Sequence, residues 1–105
     1  MTTKTVKNNE ENICLGKQGE NLCTEIRFPI QEDLRDYTAR LYICPGDGEG
    51  YYTDNVIQAA NFLTLLVTDR ETAAPGIGKM QLSFYKGNTI IKSQIYTYFV
   101  TKSIC

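Results

Sequence analysis

The chain has 105 residues, of which 11 are basic and 12 acidic, and its formal net charge is −1. This length suits one domain with one hydrophobic core. The balanced charge lacks the basic surplus that a general nucleic-acid binder or a polybasic membrane anchor needs. No apolar run approaches the roughly 18 residues of a transmembrane helix. We therefore expect a globular domain with no nucleic-acid partner and no membrane partner.

The N-terminal segment, residues 1–12, is rich in Thr, Lys, Asn and Glu. Such a polar terminus predicts a flexible arm, in which Thr5 to Lys7 could form a short edge strand. The segment also lacks the apolar region of a signal peptide, so synthesis in the cytosol is expected. Residues 13–105 are then predicted to form a single β-sandwich domain.

Strand-like segments follow the arm at short intervals. In Leu22 to Ile30 the side chains alternate between two faces, and a period of two marks a half-buried strand. The same alternation predicts two further sets of inward side chains. These sets are Ala39, Leu41 and Ile43, and Met80, Leu82 and Phe84.

About seven strands are predicted in all, with turn signals roughly every 8–12 residues. They are Ile13 to Leu15, Leu22 to Ile30, Thr38 to Cys44, Tyr51 to Ile57, Phe62 to Val67, Lys79 to Tyr85 and Ile90 to Val100. Between the fifth and sixth, Thr68 to Thr72 is predicted as a helical turn capped by Thr68 or Asp69. The fold class is therefore all-β, an immunoglobulin-like β-sandwich of about seven antiparallel strands, with a small barrel as the alternative.

The chain contains no histidine, which removes the usual activation of serine and cysteine nucleophiles and all histidine-ligated metal sites. The cysteines are Cys14, Cys23, Cys44 and Cys105, without the paired C-x2-C spacing of a thiolate zinc site. Free thiols are favoured, because residues 1–12 show no signal-peptide pattern and small disulfide-rich secreted domains are usually denser in cysteine. Disulfides remain the alternative. No catalytic residue, metal or cofactor is predicted.

Four residues around the glycine-rich loop 45–50 are candidates for ligand binding: Asp47, Glu49, Tyr51 and Tyr52. The carboxylates of Asp47 and Glu49 only partly match the oxygen-ligand pattern of a calcium loop, so a solvated turn is the simpler interpretation. Tyrosine rings beside acidic residues could instead hold a carbohydrate.

The seven tyrosines of the chain are the most informative residues for binding. Tyr42 and Tyr85 fall on the less apolar face of their strands, and Tyr96 and Tyr98 share a face of the last one. Tyrosine is enriched at protein interfaces because it combines a large ring with a polar tip. All four are therefore interface candidates, although Tyr96 and Tyr98 could equally form the core of the second sheet.

The second half of the chain resembles the N-terminal domain of phage baseplate upper proteins. The segments that carry the resemblance are Leu65-Leu66-Val67, Thr68-Asp69, Pro75-Gly76-Ile77-Gly78, Lys79 to Tyr85, Asn88 to Ser93 and Ile95 to Val100. The resemblance implies an immunoglobulin-like domain of the virion without catalytic residues.

The function expected from the sequence is that of a non-enzymatic phage structural protein, a tail or baseplate domain that acts through protein–protein interfaces. It would be assembled into the virion in the host bacterial cytoplasm. Its partners would be other virion proteins and copies of itself. A carbohydrate- or ligand-binding module is the alternative, and a small hydrolase or redox protein comes third.

Overall fold

A computed structural model describes residues 2–7, 13–46, 48–59 and 61–102 of the chain. Within these residues it contains nine strands and a 3-10 turn at Glu32–Leu34. The strands are β1 (Thr2–Thr5), β2 (Ile13–Lys17), β3 (Thr24–Pro29), β4 (Thr38–Cys44), β5 (Tyr51–Tyr52), β6 (Val56–Gln58), β7 (Phe62–Leu66), β8 (Gly76–Lys86) and β9 (Thr89–Thr101).

The strands form two sheets, with the orders β1-β3-β7-β6 and β2-β9-β8-β4-β5. In an immunoglobulin domain, strands A, B, E and D share one sheet and strands C, F and G the other. β1, β3, β7 and β6 occupy the first four places, and β4, β8 and β9 occupy the last three. The predicted all-β sandwich is thus confirmed.

The strand count and strand directions differ from the prediction. There are nine strands in the described residues, and two pairings, β1 with β3 and β2 with β9, are parallel. The prediction of about seven antiparallel strands was wrong on these points. The count rises because β1 is added and the predicted segment Tyr51 to Ile57 divides into β5 and β6. These strands have two to four residues, too few to show a clear period of two.

The hydrophobic core lies between the two sheets and follows the predicted alternation. Ala39, Leu41 and Ile43 of β4 are buried. So are the three inward residues of β8, which are Met80, Leu82 and Phe84. Because neighbouring residues of a strand point to opposite faces, the even-numbered residues of β4 and the odd-numbered residues 79–85 of β8 lie on the outer side of the sheet. Among these β8 residues only Ser83 is buried.

β9 contains a β-bulge that changes which of its side chains face the core. Gln81 pairs with Ile95 and Ser83 with Lys92, so two residues of β9, Ser93 and Gln94, oppose Leu82 alone. Ser93 Oγ accepts a hydrogen bond of 3.0 Å from the backbone N–H of Leu82. The hydroxyl therefore replaces the ladder bond that the bulge interrupts.

Residues 2–6 of the predicted arm belong to the sandwich. Thr2–Thr5 pairs with β3, so the strand lies before the segment Thr5 to Lys7 that was predicted. Val6 follows it into the core with 1% of its surface exposed, and its N–H donates to Arg27 O at 2.8 Å. Burial of the Val6 side chain anchors residues 2–6 on the sandwich, although their polar composition alone predicts a flexible arm. Residues 1 and 8–12 of the predicted arm lie outside the described residues.

The segment Tyr51 to Ile57, predicted as one strand, is divided between the two sheets. Tyr51–Tyr52 pairs with β4 in the five-stranded sheet, whereas Val56–Gln58 pairs with β7 in the other. The chain crosses between the sheets at Thr53, which is buried. This crossing leaves Tyr52 beside Tyr42 at the edge of the five-stranded sheet.

Candidate interaction surface

The outer face of the five-stranded sheet brings two of the predicted tyrosines together with a third. Tyr42 on β4 pairs directly with Tyr52 on β5, and their rings meet edge to face with centroids 5.0 Å apart at 72°. The hydroxyl of Tyr52 is 3.4 Å from that of Tyr85 on β8. We call this group, Tyr42, Tyr52 and Tyr85, the tyrosine cluster.

Arg40 fixes one side of the tyrosine cluster. Its guanidinium carbon lies 4.2 Å from the centroid of the Tyr52 ring, a stacked cation–π arrangement. The hydrogen bond between the hydroxyls raises the pKa of Tyr52 and lowers that of Tyr85. These directions are expected when Tyr52 donates the hydrogen. The nearby charges of Arg40 and Lys92 also lower the pKa of Tyr85.

A shallow depression of about 160 Å³ adjoins the cluster. Tyr42, Cys44, Lys79, Gln81 and Ile95 line it from β4, β8 and β9. Ile95 is 57% exposed, which leaves an apolar side chain open to solvent between polar neighbours. The depression is large enough for one side chain of a partner, and it lies on a rigid sheet.

The fold as a whole is similar to that of a phage protein domain. The N-terminal domain of phage TP901-1 ORF48 matches with a TM-score of 0.64 and 15% sequence identity, over 96% of this chain and 100% of that one. At this identity the likeness concerns the fold. No protein-family model matches the sequence, and no curated protein matches it either.

The other two interface candidates, Tyr96 and Tyr98, lie in the core and not on the surface. They are 7% and 3% exposed, and the ring of Tyr96 packs 5.3 Å from that of Phe28 in the facing sheet. Burial raises the pKa of Tyr96. Of the two interpretations that the sequence left open, the structure selects core packing for this pair.

The ligand-loop candidates that the structure describes, Glu49, Tyr51 and Tyr52, do not form one site. Asp47 lies outside the described residues, and Glu49 is an exposed loop residue. Tyr51 points away from Tyr52, and its hydroxyl donates a hydrogen bond of 2.8 Å to Oε2 of Glu71. Tyr52 belongs to the tyrosine cluster. The loop therefore supplies one residue to the outer face and one to a buried contact.

The rings of Tyr51 and Tyr52 do not present a flat aromatic platform to a sugar. The guanidinium carbon of Arg70 lies 3.7 Å from the Tyr51 ring centroid, and Arg40 covers the Tyr52 ring in the same way. One face of each ring is thus occupied by the protein's own cation. This geometry gives no support to the predicted carbohydrate-binding alternative.

A larger depression of about 330 Å³ lies elsewhere, between the end of β3 and the bulged part of β9. Leu34, Phe84, Ile91 and Tyr96 supply its apolar lining, and Lys92 its charged one. Tyr96 is the only interface candidate that reaches it. The depression does not bring the other predicted residues together.

Cys14, Cys23 and Cys44 carry free, exposed thiols, and Cys105 lies outside the described residues. Within the part of the chain that the structure describes, no group of three or more Cys, Asp or Glu side chains is arranged to hold a metal ion. No helix in that part is long and apolar enough to cross a membrane.

Sequence reasoning missed Arg40, Lys79, Gln81 and Ile95 as parts of this surface. The signal for Arg40 was present, because it alternates with the predicted inward residues of β4. For Ile95 the sequence indicates burial, since an isoleucine in a strand usually belongs to the core. Only the bulge in β9 turns it toward solvent.

Proposed function

We propose that this chain is a structural domain of a phage virion, a tail or baseplate component that acts by docking on other virion proteins and not by catalysis. The observation that carries the proposal is the likeness of fold to the phage TP901-1 domain along nearly the whole chain. The resemblance of the second half to baseplate upper proteins supports the same assignment. Such a domain would be assembled in the host bacterial cytoplasm.

The outer face of the five-stranded sheet is the proposed docking surface. It combines rigid tyrosine rings, a stacked arginine and an exposed Ile95, and aromatic residues and arginine are the residue types enriched in interface centres. Rigid rings lose little conformational entropy on binding, which favours affinity. Self-association, expected from the sequence, would add contacts between copies.

The proposal is tested by mass spectrometry of purified virions of the phage that encodes the chain. We expect the protein to be present at a fixed ratio to the tail proteins. Crosslinking with a lysine-reactive reagent should join Lys79 or Lys92 to another virion protein more often than it joins Lys102. Absence of the protein from the particles would refute the virion assignment.

Self-association is tested separately by light scattering of the purified protein over a dilution series, with and without reductant. A stable oligomer that ignores reductant is expected for assembly between copies. An oligomer that reductant dissolves would instead implicate the exposed thiols of Cys14, Cys23 or Cys44. A monomer at all concentrations would leave docking on other proteins as the sole assembly role.

A further inference from the structure

The two kinds of charge are unevenly distributed over the fold. The five strands of the larger sheet contain five basic residues and no Asp or Glu. The basic residues are Lys17, Arg40, Lys79, Lys86 and Lys92. The net charge of −1 therefore conceals a cationic sheet, with most acidic residues in the connections between strands.

Three of these cations lie on the outer face around the tyrosine cluster. Arg40 and Lys92 are each paired directly opposite Ser83, and Lys79 is opposite Cys44. Directly opposed residues point to the same side of a sheet. Since the residues beside them on β4 and β8 are buried in the core, all three cations face outward, and all three are exposed.

Lys79 lines the depression, Arg40 stacks on Tyr52, and Lys92 lies near Tyr85. The strands that carry them contribute no carboxylate. Lys86 differs, because it forms an ion pair with Asp36 at the end of the sheet. Stacking on Tyr52 orients the Arg40 guanidinium while leaving its N–H groups in the plane of the fork, which matches the geometry of a carboxylate. The outer face of the five-stranded sheet is therefore suited to bind negatively charged groups.

The same observations disfavour two other binding partners for this face, a second copy of the chain and single-stranded nucleic acid. A second copy placed face to face would bring Arg40, Lys79 and Lys92 against themselves, and like charges across an interface cost several kcal/mol. Single-stranded nucleic acid needs open ring faces for base stacking. Here Arg40 covers one face of Tyr52, and the edge of a neighbouring ring meets Tyr42.

We propose that the outer face of the five-stranded sheet docks on an acidic protein surface, whose carboxylates pair with Arg40, Lys79 and Lys92 while an apolar side chain enters the depression beside Ile95. This inference rests on the proposed function for the setting of the partner. The chemistry of recognition follows from the face itself.

The test uses the whole chain and a fluorescein-labelled dodecapeptide of alternating Glu and Leu as the probe. Binding is followed by fluorescence anisotropy, and its location by chemical-shift changes in the ¹⁵N-labelled protein. We expect shifts centred on Tyr42, Gln81 and Ile95. The double variant Lys79→Glu/Lys92→Glu should weaken binding by about tenfold or more, because it reverses one charge that lines the depression and one beside the tyrosine cluster.

The matched control is Arg35→Glu/Lys102→Glu, which makes the same change in net charge at exposed residues off the sheet. It should alter peptide affinity by less than about threefold, since separated surface charges are screened at physiological salt. Equal weakening by both double variants would overturn the inference, because binding would then reflect overall charge. Shifts centred away from the tyrosine cluster would overturn it as well.

Two further outcomes name a different occupant and overturn the inference. Tighter binding of oligothymidylate than of the acidic peptide would assign the face to nucleic acid. Concentration-dependent broadening confined to the outer face would assign it to a second copy. In virions, a Lys79→Glu/Lys92→Glu protein incorporated at the normal ratio would refute this docking mode while leaving the proposed function intact.

Discussion

The hydroxyl of Tyr51 donates a hydrogen bond of 2.8 Å to Oε2 of Glu71, which joins β5 to the turn that follows β7. The other carboxylate oxygen accepts bonds of 2.8 Å from both the backbone N–H and the hydroxyl of Thr68. The bond from Thr68 N–H to the Glu71 carboxylate is one half of a capping box, at a turn that does not continue as a helix. Glu71 is 4% exposed, so a buried carboxylate has donors on both oxygens.

Replacing Tyr51 by Phe removes one donor and leaves Oε2 of Glu71 buried without it. We expect the free energy of unfolding to fall by about 1–3 kcal/mol, the usual cost of leaving a buried acceptor unsatisfied. Chemical denaturation measures it. Tyr52→Phe is the matched control on the neighbouring, exposed residue and should change stability by less than about 0.5 kcal/mol. Equal effects of the two variants would contradict the role given to Glu71.

The same contact predicts a loss of stability at high pH. Burial, and then the hydrogen bond and negative charge of Glu71, raise the pKa of Tyr51 above its ordinary value of 10.0. A group with a raised folded-state pKa stabilises the fold fully below its unfolded pKa, and this contribution is lost as pH rises beyond that value. The free energy of unfolding should therefore decline above about pH 10.

That decline should be shallower in Tyr51→Phe than in the natural sequence. Some of it should remain, because burial also raises the pKa of Tyr96. Urea denaturation between neutral pH and pH 11.5 provides the comparison. Parallel curves for the two proteins would show that Tyr51 does not titrate differently in the folded and unfolded states.

Ser93 is predicted to stabilise the bulge in β9. Its Oγ accepts from Leu82 N–H at 3.0 Å and donates to Gln94 O at 2.8 Å. Ser93→Ala leaves a main-chain donor of a central strand unpaired, and we expect a cost of about 1–3 kcal/mol. Ser93→Thr keeps the hydroxyl and should retain most of the stability. Faster amide exchange at Leu82 in the alanine variant alone would identify the bond responsible.

Gly78 provides a test of how tightly Tyr98 is packed. A Cβ at Gly78 would lie 2.4 Å from Cζ of the Tyr98 ring, so the ring must move to admit it. Gly78→Ala should cost about 1–3 kcal/mol as an overpacking substitution. Gly48→Ala is the control, since a Cβ there has no neighbour within 4 Å. If Gly78→Ala left the free energy of unfolding unchanged, the Tyr98 ring would not pack against Gly78.

Substitution of Val6 tests whether β1 is an integral strand of the fold or a loose arm. Because its side chain is 1% exposed, Val6→Ala should lower the free energy of unfolding by about 1–3 kcal/mol through lost burial and a cavity. Thr3→Ala, at an exposed residue of β1, is the comparison and should be nearly neutral. If Val6→Ala were also neutral, residues 2–6 would contribute little to the fold.

The sequence alone predicts the all-β sandwich, the inward faces of β4 and β8 and a capped turn at Thr68 to Thr72. It leaves the cap open between Thr68 and Asp69. These features depend on neighbours in the chain, through the period of two and the spacing of Thr68 and Glu71. It also determined that histidine chemistry is absent. Each of these conclusions needs only local order or composition.

Which tyrosines face water depends on how the two sheets pack and cannot be read from one strand. Alternation separates the two faces of a strand but does not say which face another sheet covers. The bulge at Ser93 and Gln94 exposes Ile95, while Tyr96 points into the core. The crossing at Thr53 delivers Tyr52 to the outer face. The cationic character of that face arises only because strand order joins segments distant in the chain, which a net charge near zero conceals.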